Sequence, residues 1–131
     1  YDRDGLVEKV QKIAPHIGCV LSIWAETWCH VLTELWAAGL PVLGFDIGAV
    51  GERIRESGAG WLVPIASPHW LAETVRKIRD DPVGYRARCD RILEWQRTTG
   101  KSQNRARMGS QYNEVYENLC REYGFKAQAG A

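Results

Sequence analysis

Residues 18–45 read GCVLSIWAETWCHVLTELWAAGLPVLGF, and three patterns follow one another within them. Gly18-Cys19-Val20-Leu21-Ser22-Ile23 is a short, nearly continuous apolar run, the mark of a strand buried on both faces. After a loop through Trp24-Ala25-Glu26-Thr27, the apolar spacing predicts a helix from about Trp28 to Ala38. Gly39 closes it, since glycine reaches the left-handed conformation that ends many helices. Pro41-Val42-Leu43-Gly44-Phe45 is a second buried strand, with its proline at the first position, where a missing N–H is tolerated. Strand, helix and strand in this order form the unit of a parallel α/β sheet with right-handed crossovers.

Upstream, apolar residues at Leu6, Val7, Val10 and Ile13 have helical spacing, and Pro15 ends the segment. Downstream, Asp46-Ile47-Gly48-Ala49-Val50-Gly51 reads as a turn, followed by a short helix through residues 52–56 and a third strand, Trp61-Leu62-Val63. Ser67 stands as N-cap of a helix with Pro68 in its first turn, running to about Arg79. The remainder is helical over roughly 82–97 and 102–122. The chain is thus expected to be one domain, 1–131: an α/β core over 1–80, a helical tail over 81–124 and a frayed end over 125–131. Three strands are few for a doubly wound sheet, which has about five or six. With no initiator methionine at Tyr1, the expectation is a partial Rossmann-like domain whose remaining strands precede this sequence.

Hydrophobic residues at 45% and charged residues at 25% call for a packed core rather than disorder. A formal net charge of +1 gives no global attraction to nucleic acid or to an acidic partner. Charges interrupt every apolar stretch well before the roughly 18–20 residues of a membrane span. Cys19, Cys29, Cys89 and Cys120 form no CxxC pair, and no histidine cluster completes a metal set. Reduced thiols and a cytoplasmic setting are therefore expected, with Cys19 a small buried hydrophobe.

In open α/β sheets, ligands bind beyond the carboxyl ends of the strands. Two loops lie there: one carries Glu26, the other Asp46, Gly48 and Gly51. A helix starting near Trp28 or Cys29 offers unpaired amides suited to a diphosphate. Glu34 stands about five residues on, roughly 7 Å along the axis, and Glu26 stands ahead of the helix. Carboxylates accept two hydrogen bonds and suit vicinal diols. The order carboxylate, anion site, carboxylate matches the ribose diol, diphosphate and sugar hydroxyls of a nucleotide sugar.

The stretch from Ser22 to Leu43, with seven residues between Glu26 and Glu34 and Ala38-Gly39-Leu40-Pro41-Val42 behind them, resembles the Glu-x7-Glu motif of retaining glycosyltransferase family 4. That motif belongs to its C-terminal "glycosyl transferases group 1" domain, of GT-B fold. Phe45-Asp46-Ile47-Gly48-Ala49-Val50-Gly51-Glu52-Arg53-Ile54 and Gly58-Ala59-Gly60-Trp61-Leu62-Val63-Pro64 extend the match over about residues 15–65. The resemblance implies that Glu34 binds the nucleotide ribose. It makes Glu26 the catalytic-site carboxylate that holds donor-sugar hydroxyls. Thr27 belongs to the same donor-binding group, and the amides of Trp28 and Cys29 approach sugar and diphosphate. It implies no cofactor and no metal, a nucleotide-sugar donor, and a saccharide or glycolipid acceptor in bacterial polysaccharide or glycolipid synthesis. The setting would be cytoplasmic, at the inner face of the membrane where the acceptor requires it.

Two residues depart from the pattern: Cys29 stands where many members carry glycine, and Ala25 where a subgroup has proline. The basic residues on the diphosphate, the base-contacting loops and an N-terminal acceptor domain with its histidine would all lie upstream. The chain alone is therefore expected to be inactive, and its open sheet edge could pair with another copy.

Simpler roles compete at each position. Glu34 could lie on a solvated helix face, Glu26 could cap a helix, and Gly48 with Gly51 could form a plain tight turn. His16 reads as structural; His30, in the first turn, faces either way. Trp36 and Trp61 suit the core, whereas Trp24 and Trp28, flanking Glu26, suit the cleft. Arg86, Arg88, Arg91, Arg97, Lys101, Arg105 and Arg107 read as a solvated helix surface or a contact with anionic lipid. At the level of function, a non-catalytic α/β assembly module and a sugar-nucleotide epimerase are the alternatives to a transferase.

Overall fold

The structure, a computed structural model, describes residues 5–102 and 105–124. Alternating short apolar runs and amphipathic stretches give α1 (Leu6–Ile13), β1 (Gly18–Val20), α2 (His30–Ala37), β2 (Val42–Phe45), α3 (Gly48–Ser57) and β3 (Gly60–Val63). Three further helices follow: α4 (Pro68–Asp80), α5 (Pro82–Trp95) and α6 (Arg105–Tyr123), with a π-helical turn at Gln96–Gly100 between the last two. The strands are parallel in the order β1-β2-β3, with Gly18 opposite Val42 and Val42 opposite Gly60. The chain forms a partial Rossmann-like α/β domain, as its sequence pattern predicts.

β2 is buried at all four positions because helices cover both of its faces. One face packs Val20 and Val42 against Leu32 and Trp36 of α2, Val50 and Ile54 of α3, and Ile92 and Trp95 of α5. The other packs Leu43, Phe45 and Val63 against Leu71 and Ile78 of α4. Trp36 is 1% exposed, and its indole N–H donates to the Ala59 carbonyl at 3.0 Å. Trp61 is half-buried, stacked on Tyr85 and against Arg88.

Several expectations are corrected. β1 ends at Val20 rather than at Ile23, and Cys19 is exposed rather than buried. β1 is an edge strand, and Cys19 on it stays exposed although its ladder partner Leu43 is buried. Helix α2 starts at His30, two residues late, because Cys29 takes the left-handed conformation at φ +61° and breaks the helix there. Its end follows the sequence: Gly39 at φ +84° lets its own N–H reach Trp36 and that of Leu40 reach Leu35.

The expected turn over 46–51 is already helical from Gly48. Ser67 precedes α4, but its side chain makes no capping bond. The helix expected to reach residue 97 gives way after Trp95, where Gln96 turns to donate its side-chain amide to the carbonyls of Trp36 and Ala37. Its side chain thereby satisfies the exposed end of α2. The expected fraying of 125–131 lies outside the described residues.

Candidate functional site

The carboxyl ends of β1 and β2 lead into two loops that touch. Glu26 in the first is half-buried, and its carbonyl accepts the Ala49 N–H of α3 at 2.9 Å. Gly48 makes this contact possible. A Cβ there would lie 2.9 Å from Ala25 Cα and from the Glu26 carbonyl oxygen, and Gly48 also holds φ +49°. Gly48 therefore packs one loop against the other. Asp46, in the second loop, is exposed and forms an ion pair with Arg55. Beside it, Asp46, Leu62, Val63, Pro64 and Ile65 line an opening of about 350 Å³ at the ends of β2 and β3.

Between the loops stands the start of α2. No side chain caps it, and no acidic residue occupies its first turn. Its leading amides and the positive end of its dipole are thus left for an anion. With the helix starting at His30, its leading amides are those of His30 and Val31, which follow the Trp28 and Cys29 amides expected there. Cys29 is 4% exposed. Burial pushes its thiol above the ordinary value and the neighbouring Glu26 carboxylate adds to this, while the Leu32 amide and Arg53 oppose it. The sulfur therefore sits as a neutral thiol between Glu26 and the helix start.

Glu34 is half-buried, one turn beyond His30. It lies on the helix face away from Leu32 and Trp36, which are buried. The helix start thus separates the two carboxylates along the chain, as the spacing implies. Thr27, His30 and Trp24 are exposed, Trp24 at 76%.

Trp28 is placed differently from the expectation. Its ring lies 4.2 Å from the Arg53 guanidinium. It lines a cavity of about 190 Å³ on the flank of α2 and α3, together with Trp36, Arg53, Glu56 and Trp95. Neither opening includes Glu26 or Glu34 in its lining.

Arg53 is the residue that sequence reasoning missed. Its guanidinium donates to the carbonyls of Trp28 and Cys29 and to Thr33 Oγ1. Burial lowers its pKa from the usual value, with Cys29 and Glu56 acting against that. The available signal was an arginine beside the buried Val50 and Ile54 of one helix, facing a tryptophan-rich stretch of another. His16 contributes through its carbonyl, which accepts the Tyr85 hydroxyl at 2.9 Å. In the basic run, Arg88 is not a solvated side chain: it is half-buried and donates to the carbonyls of Gly60 and Gly84. Arg91 pairs with Glu94, and the side chain of Arg105 lies outside the described residues.

A parallel α/β sheet with an uncapped helix start, set in the sequence between two carboxylates, is an arrangement that nucleotide-binding domains use. The pattern of the family "Glycosyl transferases group 1" matches residues 3–93, and the chain belongs to that family. Its chemistry is sugar transfer, with a nucleotide-sugar donor and an acceptor as substrates. Neither the curated proteins nor the solved structures gave a match. Among the described residues, no helix is long and apolar enough to cross a membrane.

Proposed function

We propose that this chain supplies the donor-binding portion of a retaining glycosyltransferase acting on a saccharide or glycolipid acceptor. Glu34 binds the ribose diol, Glu26 binds hydroxyls of the donor sugar, and the His30 and Val31 amides face the diphosphate. The observation that carries the reading is the uncapped start of α2, free of acidic residues, between these two glutamates. As the glycosidic bond to the diphosphate breaks, negative charge grows on the leaving oxygen. Fixed amides aimed at that point stabilise it without reorganising. This is the work a divalent cation does elsewhere, so the reaction is proposed to be metal-independent. Thr27, exposed beside Glu26, belongs in this reading to the same donor-binding group.

The test is transfer by the full-length protein from a nucleotide sugar to a saccharide acceptor. The product's anomeric configuration is read by NMR, with and without a chelator. The expected product keeps the donor's configuration at an unchanged rate in chelator. An inverted product would overturn the retaining assignment, and abolition by chelator the metal-independent one.

A further inference from the structure

The three acceptors of the Arg53 guanidinium lie on one short stretch of chain. One terminal nitrogen donates to the Trp28 carbonyl at 2.6 Å and to the Cys29 carbonyl at 3.0 Å; the other donates to Thr33 Oγ1 at 2.8 Å. Trp28 and Cys29 end the donor-side loop, and Thr33 stands in the opening turn of α2. A single side chain from α3 thus joins the loop to the helix it feeds.

The two carbonyls flank the Cα of Cys29, whose φ of +61° is unfavourable for a residue with a Cβ. Such a conformation persists only where the surroundings over-determine it. Arg53 supplies that constraint by fixing the peptide planes on both sides. The guanidinium is itself held, 4.2 Å from the Trp28 ring centroid and 5.3 Å from that of Trp36. Its bonds are charge-assisted, and those to Cys29 and Thr33 are half-buried, so water competes for these two less than at an open surface.

We infer that Arg53 is a positioning residue for the donor site. From the flank of α2 opposite Glu34, it fixes the left-handed turn at Cys29, and through that turn the direction of the His30 and Val31 amides and the placing of Glu26. It does so without touching the donor. Glu26 is tied to the same helix by its carbonyl on the Ala49 N–H, so α3 carries both ends of the loop. The inference rests on the donor-site reading above.

The experiment compares the full chain with Arg53→Met, Arg53→Lys and Thr33→Val. Amide hydrogen exchange over 27–32, mass-spectrometric thiol labelling of Cys29 and nucleoside diphosphate titration are read on each. Arg53→Met keeps the stem packed on the two indoles but removes the fork. It is expected to raise exchange and Cys29 labelling by about tenfold or more and to weaken diphosphate affinity by a similar factor, with a cooperative melt retained. Arg53→Lys recovers little of this, because an ammonium cannot reproduce the planar fork that spans three acceptors. Thr33→Val loses a smaller part, about threefold.

Exchange and labelling unchanged in Arg53→Met would overturn the clamp. Raised exchange with unchanged diphosphate affinity would overturn its positioning role. If the unaltered chain binds no nucleoside diphosphate, the donor-site reading fails, and exchange with labelling still decides the clamp. Should Arg53→Met fail to fold, Arg53→Lys and Thr33→Val carry the same comparison.

Discussion

Cys29 illustrates how one residue serves both backbone and electrostatics. Its left-handed conformation ends the loop, and its buried thiol stays protonated beside Glu26. The folded thiol titrates above its ordinary value of 9.0. Below that pH both folded and unfolded forms are protonated, and the group does not affect stability. Above it the unfolded chain loses the proton first, so stability falls as pH rises until the folded thiol titrates too. Cys29→Ala is expected to lessen the alkaline loss, as thermal melts between pH 7 and 10 would show; an identical slope would contradict this. The spacing of Glu26 and Glu34 was legible in the sequence because helix geometry is local. Arg53 was not, since its partners lie 20 to 25 residues away and meet it only when α3 packs on α2.

At the level of elements, the two ends of α2 differ in how well the sequence marked them. Gly39 announced the C-terminus, because only the left-handed position requires it. The N-terminus begins after Cys29, which is not a capping residue type, and an open helix start is what an anion site requires. A Cβ at Gly39 would meet nothing within 4 Å. Gly39→Ala therefore isolates the backbone cost of φ +84°, about 1–2 kcal/mol, with nucleoside diphosphate affinity unchanged. Chemical denaturation would measure it, and a loss below about 0.3 kcal/mol would contradict it. β1 shows a limit of apolar runs as signals. Leu21 and Ile23 extend the run but are 39% and 60% exposed, past the last paired residue. Hydrophobicity marks where burial is favoured, not how far the hydrogen-bonded ladder extends.

Across the molecule, alternation of strand and helix made the parallel sheet readable, and the family match over residues 3–93 agrees with it. The layers are locked by contacts between segments distant in sequence, above all at Trp36. This side chain packs 5.2 Å from Trp95 and bonds to Ala59, while the backbone carbonyl of the same residue accepts the Gln96 amide. Trp36→Ala is expected to cost about 3–5 kcal/mol. Trp36→Phe would cost less, because the Ala59 carbonyl loses the indole donor, a bond of about 0.5–1.5 kcal/mol, but keeps the Val42 N–H. Denaturant midpoints would measure both, and a negligible loss in Trp36→Phe would show that the indole N–H contributes nothing.

The central claim is that Glu34 binds the donor's ribose beside the anion site at the start of α2. Calorimetric titration of the full-length protein and its Glu34→Ala variant with nucleoside diphosphates tests it most directly. Saturable binding, weakened by about tenfold or more in the variant, is the predicted result. Equal affinity in both proteins would contradict it.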